Sequence, residues 1–323
     1  MSENYFPETL PQFQKAFPDE MACANYLEKL RWPVGFVCST CSFIGTPYRF
    51  KNRPTVLRCR NCQADTHLTA GTVMHKSRTP LQIWFWAAYL VTSHTPGVSA
   101  TQFQRQLGLN RYETAFQILH KLRSAMVRPK RDRIGVNGHV EVDEAFVGGR
   151  THSKKQGLTD KVLVAAAVEV RSLEKTHHDG KRRLYAGRLR LSRIPDRGQS
   201  TLEIFVKESV APGSTIFTDG WSGYDNLTNL GYTHHATVIN GDHEKTDLVL
   251  PMVHLVFSNL KTWLRGTHHG VSPKHLPSYL NEFTFRFNRR FYPMAAVNSV
   301  LGIAVRVASE TYKNLYSGHK TVK

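Results

Sequence analysis

The hydrophobic and polar positions of the segment "HVEVDEAFVGGR" (139–150) alternate. Successive side chains of a strand point to opposite faces, so Val140 and Val142 lie on one face and Glu141 and Asp143 on the other. Alternate strand residues are about 7 Å apart, at roughly 3.4 Å of rise per residue. Carboxylates this close repel each other unless a positive charge lies beside them. The pattern predicts a strand that carries an acidic site within an apolar run.

Further along the chain, apolar and alternating runs predict four more strands and three helices. The predicted strands are 161–171, 181–195, 214–219 and 232–239, and the predicted helices are 198–210, one that starts at Pro251, and 275–290. This order is typical of an α/β, RNase H-like domain, a five-stranded mixed sheet with flanking helices. Asp143 would lie on its first strand and Asp219 at the end of the adjacent fourth strand. Two aspartates placed in this way can hold two divalent ions that activate a water and stabilise a leaving oxygen.

The middle of the chain has helical periodicity. Thr79 as N-cap and Pro80 as first helical residue begin a long apolar helix. A helix from Ser99, a break at 108–110 and a second helix to about Met126 then form a helix-turn-helix pattern, whose second helix enters the DNA major groove. A plain helical hairpin is the alternative, because the pattern is degenerate. The residues predicted to face bases or phosphates are Arg111, Tyr112, Thr114, Gln117, Lys121 and Arg123.

Four of the five cysteines form two CxxC pairs, Cys38 with Cys41 and Cys59 with Cys62. Each pair can offer two thiolates to one tetrahedral Zn²⁺, and the segment between the pairs is long enough for a short β-hairpin. The pattern predicts a structural zinc ribbon. Two disulfides or four buried free thiols are the alternatives, and neither explains the paired spacing. The ribbon contacts DNA or only stabilises the fold; its basic residues are Arg49, Lys51, Arg53, Arg58 and Arg60.

The charge balance points to a polyanionic partner. Lys and Arg number 43 against 25 acidic residues, a formal net charge of +18, and nucleic acid is the simplest partner for such an excess. There is no apolar run of 18 residues and no signal-peptide core at the N-terminus, so we expect a soluble cytoplasmic protein.

Composition divides the chain into four predicted regions. They are an N-terminal region with the zinc ribbon (1–75), a helical helix-turn-helix region (76–130), an RNase H-like catalytic domain (131–300) and a C-terminal tail (301–323). The segment 128–138 is basic and contains Pro and Gly, which favours a linker.

Four segments carry a resemblance to a known family: "LTAGTVMHKSRTPLQIWF", "VEVDEAFVGGR", "STIFTDGWSGYDNL" and "NLKTWLRGTHHGVSPKHLPSYLNEFTFRFNRR". Between about residues 20 and 300 the chain resembles the zinc-ribbon insertion-sequence transposases of the DDE superfamily, in the ISXO2-like group. The resemblance implies metal-dependent cleavage at the 3′ ends of a mobile element, after which the freed 3′-hydroxyl attacks target DNA. Asp143 and Asp219 match the first two catalytic positions of the family. The implied partners are double-stranded DNA, from the terminal repeats and the target, and further copies of the chain in a homodimer or larger synaptic assembly.

The third catalytic position departs from the family pattern. Many relatives carry Glu there, followed seven residues later by Lys; here His254 precedes Lys261 by that interval. Seven residues at about 100° each return to within about 20° of the starting direction, so these two side chains share a helix face, whereas Asn259 points elsewhere. We therefore expect a set of Asp143, Asp219 and His254 that binds Mg²⁺ or Mn²⁺, with His254 as a metal ligand, an orienting group or a general base. Glu244 is an alternative source of the third ligand, and His254 merely packs if the copy is inactive.

Lys261 is also assigned to the catalytic set, and the other residues near the expected site are given supporting or structural roles. Lys261 and Arg265 fit contacts that position DNA phosphates. Glu141 and Glu144 are expected as charges at a strand edge, with a supporting role beside Asp143 as the alternative. Trp221 and Tyr224 are expected as core and turn-packing residues. Two functions follow. The chain is a DNA transposase that cleaves and joins DNA by metal-dependent phosphoryl transfer, or a non-catalytic DNA-binding protein, either a transposition repressor or an inactivated transposase.

Overall fold

The computed structural model describes residues 6–128, 131–136, 138–148, 161–173, 184–238 and 249–308. The chain forms two compact units. One contains the residues up to 128 together with those from 289 onward, and the other contains residues 129–288. The four-region division made from composition stays a prediction. Within the described ranges, each helix is too short or too polar to cross a lipid bilayer.

The first unit combines helices with a small cysteine-containing ribbon. Its elements are α1 (Leu10–Ala16), α2 (Glu20–Arg31), β1 (Phe36–Val37), β2 (Ile44–Gly45), β3 (Tyr48–Phe50), β4 (Arg53–Arg58), β5 (Asp65–His67), α3 (Leu81–Ser93), α4 (Ala100–Gln106), α5 (Tyr112–Ser124) and α9 (Pro293–Ala304). Strands β3, β4 and β5 form an antiparallel sheet, and β1 pairs with β2. The predicted ribbon hairpin is therefore present. Helix α9, which was not predicted from the sequence, packs on α2 and α3.

Two helix predictions in this unit need correction. Helix α3 begins at Leu81, and Thr79 is not its N-cap. The free N–H groups of Leu81 and Gln82 donate instead to the carboxylate of Glu20 in α2, at 2.8 and 3.2 Å. A carboxylate from a neighbouring helix satisfies the helix start as well as a local cap would, and its negative charge suits the positive end of the helix dipole.

The second correction concerns Arg123 in the helical hairpin formed by α4 and α5. Ser99 caps α4 by accepting from the Gln102 N–H, and Gly108 adopts a positive φ of 60° in the turn, as a break in the helix requires. Arg123 was expected near phosphates, but its side chain is only 1% exposed. It lies on the inner face of α5 with Leu119 and Leu122, so it cannot reach DNA in this conformation.

The second unit is the predicted α/β domain with a five-stranded mixed sheet, and this fold prediction is confirmed. Its elements are β6 (His139–Val147), β7 (Val162–Ser172), β8 (Leu184–Arg193), α6 (Gln199–Ser209), β9 (Thr215–Asp219), a 3₁₀ helix (Ser222–Leu230), β10 (Thr233–Thr237), α7 (Pro251–His268) and α8 (Leu276–Phe287). The strand order is β10-β9-β6-β7-β8. Pairing is parallel from β10 through β9 to β6 and antiparallel from β6 through β7 to β8, consistent with an RNase H-like domain.

The sheet has a hydrophobic core on each face. On one face, Val164 and Leu189 pack with Leu260 of α7 and with α8. On the other, Val140 and Val142 pack with α6 and the 3₁₀ helix. Because both faces are covered, the acidic residues of β6 lie inside the protein and must each find a partner or a partly open position.

Candidate active site

Asp143 lies in the middle of the central strand β6, and its side chain faces α7. His254 is in the first turn of α7, and its Nε2 is 3.4 Å from Oδ2 of Asp143. The other oxygen, Oδ1, accepts a hydrogen bond from the Glu144 N–H at 2.7 Å. Both side chains keep a route to solvent, since Asp143 is 15% and His254 26% exposed. The structure thus brings together two residues that are far apart in sequence, in a position that a substrate can reach.

Asp219 ends the neighbouring strand β9, which pairs in parallel with β6. Burial raises the pKa of Asp219, and the negative charge of Asp143 raises it further, while the Trp221 N–H, Arg197 and His254 act in the opposite direction. The Trp221 N–H donates to Oδ1 of Asp219 at 3.3 Å. The two aspartates are therefore close enough to repel each other, which is the environment that a bound cation relieves.

The ligand atoms of Asp143, Asp219 and His254 are farther apart than those of a closed metal site. Among the described residues, a set of three or more ligand atoms that all lie within 4.8 Å of one another occurs at the four cysteines. Asp143, Asp219 and His254 do not meet that limit together, so holding one ion among all three requires side-chain movement. Two carboxylates and one imidazole are nevertheless a suitable donor set for a divalent ion, and the imidazole suits Mn²⁺ better than Mg²⁺.

Glu141 fixes the start of α7, and its expected role as a strand-edge charge is wrong. Its side chain is buried because β6 is a central strand, and the residue is 2% exposed. One oxygen, Oε2, accepts the N–H groups of Met252 and Val253, both at 2.8 Å. Burial raises the pKa of Glu141 to about 7, against the effect of these two hydrogen bonds. Since His254 follows directly, this contact holds His254 opposite Asp143.

Glu144 is likewise a buried, fully partnered acid and not an edge charge. Its side chain has no solvent exposure, and it forms an ion pair through Oε1 with Nε of Arg197. The other oxygen, Oε2, accepts a hydrogen bond from the hydroxyl of Tyr224. Tyr224 is buried as expected, but Trp221 is 42% exposed and is not a core residue. Sequence reasoning missed Arg197 entirely, because nothing in "IPDRGQS" distinguishes it from a solvated loop arginine.

Lys261, Arg265 and Asn259 are exposed positions on α7. The Nζ of Lys261 is 6.0 Å from the ring centre of Phe257, one turn earlier. Within the part of the chain that the structure describes, no ion pair joins Lys261 or Arg265 to the two aspartates. Glu244, the alternative third ligand, lies outside the described residues. The roles assigned to these residues stay predictions.

The four cysteines of the ribbon form a compact cluster. The Sγ atoms of Cys38 and Cys62 are 3.6 Å apart, as are those of Cys41 and Cys59. A tetrahedral Zn²⁺ with Zn–S bonds of about 2.3 Å requires S···S separations of roughly 3.8 Å, whereas a disulfide is about 2.05 Å long. The disulfide alternative therefore does not fit, and all five cysteines are free.

Hydrogen bonds around the sulfurs also suit a metal-bound thiolate. The N–H groups of Thr40 and Asn61 donate to Cys38 and Cys59, at 3.4 and 3.3 Å. Hydrogen bonds from the Phe43 N–H and the Asn61 side chain lower the pKa of Cys41 to about 6, whereas the neighbouring sulfurs raise the pKa of Cys62 against the effect of the Ala64 N–H. Thiolates are the form that binds zinc, so the donor set and its surroundings fit a structural Zn²⁺.

The residues predicted to bind DNA on α5 differ in exposure. Arg111 and Tyr112 are exposed at its N-terminal end, and Tyr112 is 45% exposed. Thr114, Gln117 and Lys121 are half-buried, and burial lowers the pKa of Lys121. Among these residues, those at the N-terminal end of α5 are therefore the most exposed to solvent. A role of α5 in base contacts stays a prediction.

Comparison with known proteins identifies the family. Residues 135–288, nearly the whole α/β unit, match the ISXO2-like transposase domain, and residues 18–65 match the transposase zinc-ribbon domain. Together the two matches cover more than half of the chain. The chain belongs to the ISXO2-like transposase family. It is also 27% identical over 292 residues to an uncharacterized protein in the transposable element ISH50 of Halobacterium salinarum, covering 84% of this chain and 92% of that protein. The α/β unit of this ISXO2-like transposase is therefore its transposase domain, and the cysteine cluster belongs to its zinc ribbon.

Proposed function

We propose that this ISXO2-like transposase cuts the ends of its insertion sequence and joins them to target DNA by divalent-metal-dependent phosphoryl transfer, at Asp143, Asp219 and His254. The observation that supports this most is the 3.4 Å approach of His254 to Asp143 on the strand beside Asp219. The three residues come from a central strand, the end of its neighbour and a covering helix, and the repulsion between the acids favours a cation between them.

The proposed reaction has two steps, cleavage at the element end and strand transfer to target DNA, with Asp143, Asp219 and His254 as the acting residues. In the first, a water oxygen attacks phosphorus at the element end, the P–O3′ bond breaks, and the leaving oxygen takes a proton to become the 3′-hydroxyl. In the second, the oxygen of that 3′-hydroxyl attacks a target phosphodiester and forms a P–O bond. The P–O3′ bond of the target breaks, and the released oxygen takes up a proton as the attacking hydroxyl loses one. A divalent ion held by Asp143 and Asp219 would supply charge neutralisation at the phosphoryl oxygens. His254 would complete the ligand set or, as a neutral imidazole, accept the proton of the attacking oxygen.

The ribbon offers a surface for DNA as well as a stabilised fold. On one side of its sheet, Arg53 lies 4.6 Å from the ring centre of Phe50, and Arg60 lies 4.6 Å from that of Tyr48. Tyr48 is 46% exposed. Buried Leu57 packs with the cysteines on the inner side. Alternating cations and aromatic rings on an exposed face suit a nucleic-acid backbone, so the ribbon serves both roles under this proposal.

Cleavage of a labelled duplex with the element's terminal sequence, in Mg²⁺ or Mn²⁺, tests the proposal. We expect Asp143→Ala and Asp219→Ala to lose at least about 1,000-fold in cutting rate, because several kcal/mol of charge stabilisation is removed at about 1.4 kcal/mol per tenfold. Asp225→Ala is the matched control, since Asp225 is an exposed acid on the 3₁₀ helix that follows β9.

Two results would reject the catalytic role. One is equal cutting by the wild type and both aspartate variants. The other is binding of the duplex by all proteins without cutting in either metal, which would favour the non-catalytic DNA-binding protein.

A further inference from the structure

Arg197 lies at the acidic site although no catalytic motif includes it. It is the second-last residue before α6, in a turn where the Asp196 carboxylate accepts the Gly198 N–H at 2.8 Å. Its side chain is 40% exposed, and its Nε contacts the buried carboxylate of Glu144, the residue next to Asp143. The guanidinium therefore has one edge anchored inside the protein and the rest near solvent.

Two further contacts, both with Trp221, hold Arg197 in place. Its guanidinium carbon lies 4.6 Å from the ring centre of Trp221, whose Nε1–H donates to the Arg197 carbonyl at 3.0 Å. Gly223 permits this approach, since a Cβ there would lie 2.9 Å from the same carbonyl oxygen. Tyr224 fixes Glu144 from the other side. Because Trp221, Gly223 and Tyr224 all follow Asp219 closely, the contacts tie the arginine to the strand end that carries this aspartate.

The charge of Arg197 acts on both aspartates. Burial lowers the pKa of Arg197, but the charges of Glu144, Asp219 and Asp143 raise it above its ordinary value overall. In return, the positive charge of the arginine opposes the rise in the pKa of Asp219 that burial and Asp143 cause. The ion pair with Glu144 uses Nε, and among the described residues neither Nη group has another hydrogen-bonding partner. A guanidinium has five N–H donors in a planar fork, so donors remain for a planar or tetrahedral anion.

A stabilising role alone does not require this arrangement. A partly exposed ion pair contributes little to folding, and burying Glu144 has a desolvation cost that an apolar residue would avoid. An oriented arginine beside two carboxylates is, however, what a phosphodiester needs in order to approach a negatively charged centre.

We propose that Arg197 binds a phosphate of the DNA strand that enters the acidic site, with Glu144 and Trp221 as the residues that orient its guanidinium. This inference rests on the proposed function, because the DNA strand is the substrate of that function. It adds a phosphate-binding residue that the three-residue catalytic set does not contain.

The test is the salt dependence of DNA binding, measured with Ca²⁺ in place of the catalytic ion. The probe is a duplex of the element's terminal sequence, and the variant is Arg197→Gln. We expect the slope of log K against log [salt] to fall in magnitude by about 0.9, the value for one lost phosphate contact. Lys207→Gln is the control, since it removes an exposed positive charge from α6 that pairs with Glu203. It should leave the slope unchanged.

A second variant separates the loss of a phosphate contact from a loss of folding. Removing Arg197 alone leaves Glu144 buried without its cation, whereas Arg197→Gln combined with Glu144→Gln leaves two neutral amides. The double variant should keep the wild-type melting temperature within a few degrees and show the same decrease in slope. A wild-type slope in either folded variant would overturn the proposal.

Cleavage assays separate this inference from the proposed function. If the wild type cuts DNA and the slope of the Arg197→Gln variant is unchanged, the phosphate contact is wrong and the function stands. If the slope decreases but the wild type cuts under neither Mg²⁺ nor Mn²⁺, the phosphate contact stands and the catalytic function is wrong.

Discussion

The cysteine cluster and the acidic site differ in where their candidate metal ligands come from and in how far apart these ligands lie. The four thiols come from two short turns, and their sulfurs already lie within 4.8 Å of one another. The acids and His254 come from two strands and a helix, and they are more widely spaced. A closed, local set suits an ion that only stabilises a fold, whereas an open set leaves space for DNA oxygens to complete the coordination. Under the proposed function, the preassembled cysteine cluster is the structural site, and the more widely spaced set of Asp143, Asp219 and His254 is the site that binds DNA.

Disrupting the cysteine cluster should have the largest effect of the substitutions considered, because it should unfold the ribbon. Cys59→Ser removes a ligand with no exposure to solvent, so we expect the ribbon to lose its zinc and its cooperative unfolding. Zinc content by elemental analysis and circular dichroism check this. Cys23→Ser is the control, because Cys23 is equally buried but lies in α2 outside the cluster. Full zinc occupancy in Cys59→Ser would mean that the cluster is not the metal site.

Changes in the open site should abolish chemistry while leaving the fold intact. His254→Ala should reduce strand transfer by about 100- to 10,000-fold, the range for loss of a general acid–base group or ligand. Asn259→Ala, on an exposed part of the same helix, should retain most of it. Strand transfer into a supercoiled plasmid measures both. The opposite ranking of the two variants would show that α7 presents a different residue to the aspartates.

Substitution of Glu141, which holds the start of α7 beside Asp143, should have the smallest effect of the three, on the free energy of unfolding, and this effect should depend on pH. Glu141→Ala leaves the buried Val253 N–H and the half-buried Met252 N–H of α7 without this acceptor, at a cost of about 1–3 kcal/mol in the free energy of unfolding. Chemical denaturation without added divalent metal measures it, with the exposed Glu208→Ala as control.

Glu141 also has a predictable pH dependence. Its pKa is about 7 in the folded protein and near 4.5 when unfolded, so the folded state binds more protons between these values. The contribution of Glu141 is therefore fully present below pH 4.5 and is lost as the pH rises to about 7. Glu141→Gln should remove this part of the pH dependence. An unchanged stability profile for Glu141→Gln would show that the carboxylate is not buried as described.

Patterns with a fixed period were predictable from the sequence. The alternation in "HVEVDEAFV" gave both the strand β6 and the correct faces of Val140, Val142, Glu141 and Asp143. The cysteine cluster was predictable from the CxxC spacing, because the two cysteines of each pair are close in sequence.

Contacts between distant residues were not predictable. Arg197 and Tyr224 meet Glu144 across 53 and 80 residues of sequence, and only the packing of α6 and the 3₁₀ helix on the sheet joins them. Arg123 and Glu141 were misjudged because charged residues are usually exposed, and a sequence does not show which strand will be central.

A crystal structure of the protein with Mn²⁺ and a duplex of the element's end, with anomalous scattering to locate the metal, would test whether Asp143, Asp219 and His254 form the catalytic metal site. We expect manganese at bonding distance from Asp143 and Asp219, with His254 against the same ion or the attacking oxygen. A metal bound elsewhere, with these side chains as far apart as they are without DNA, would rule out this site.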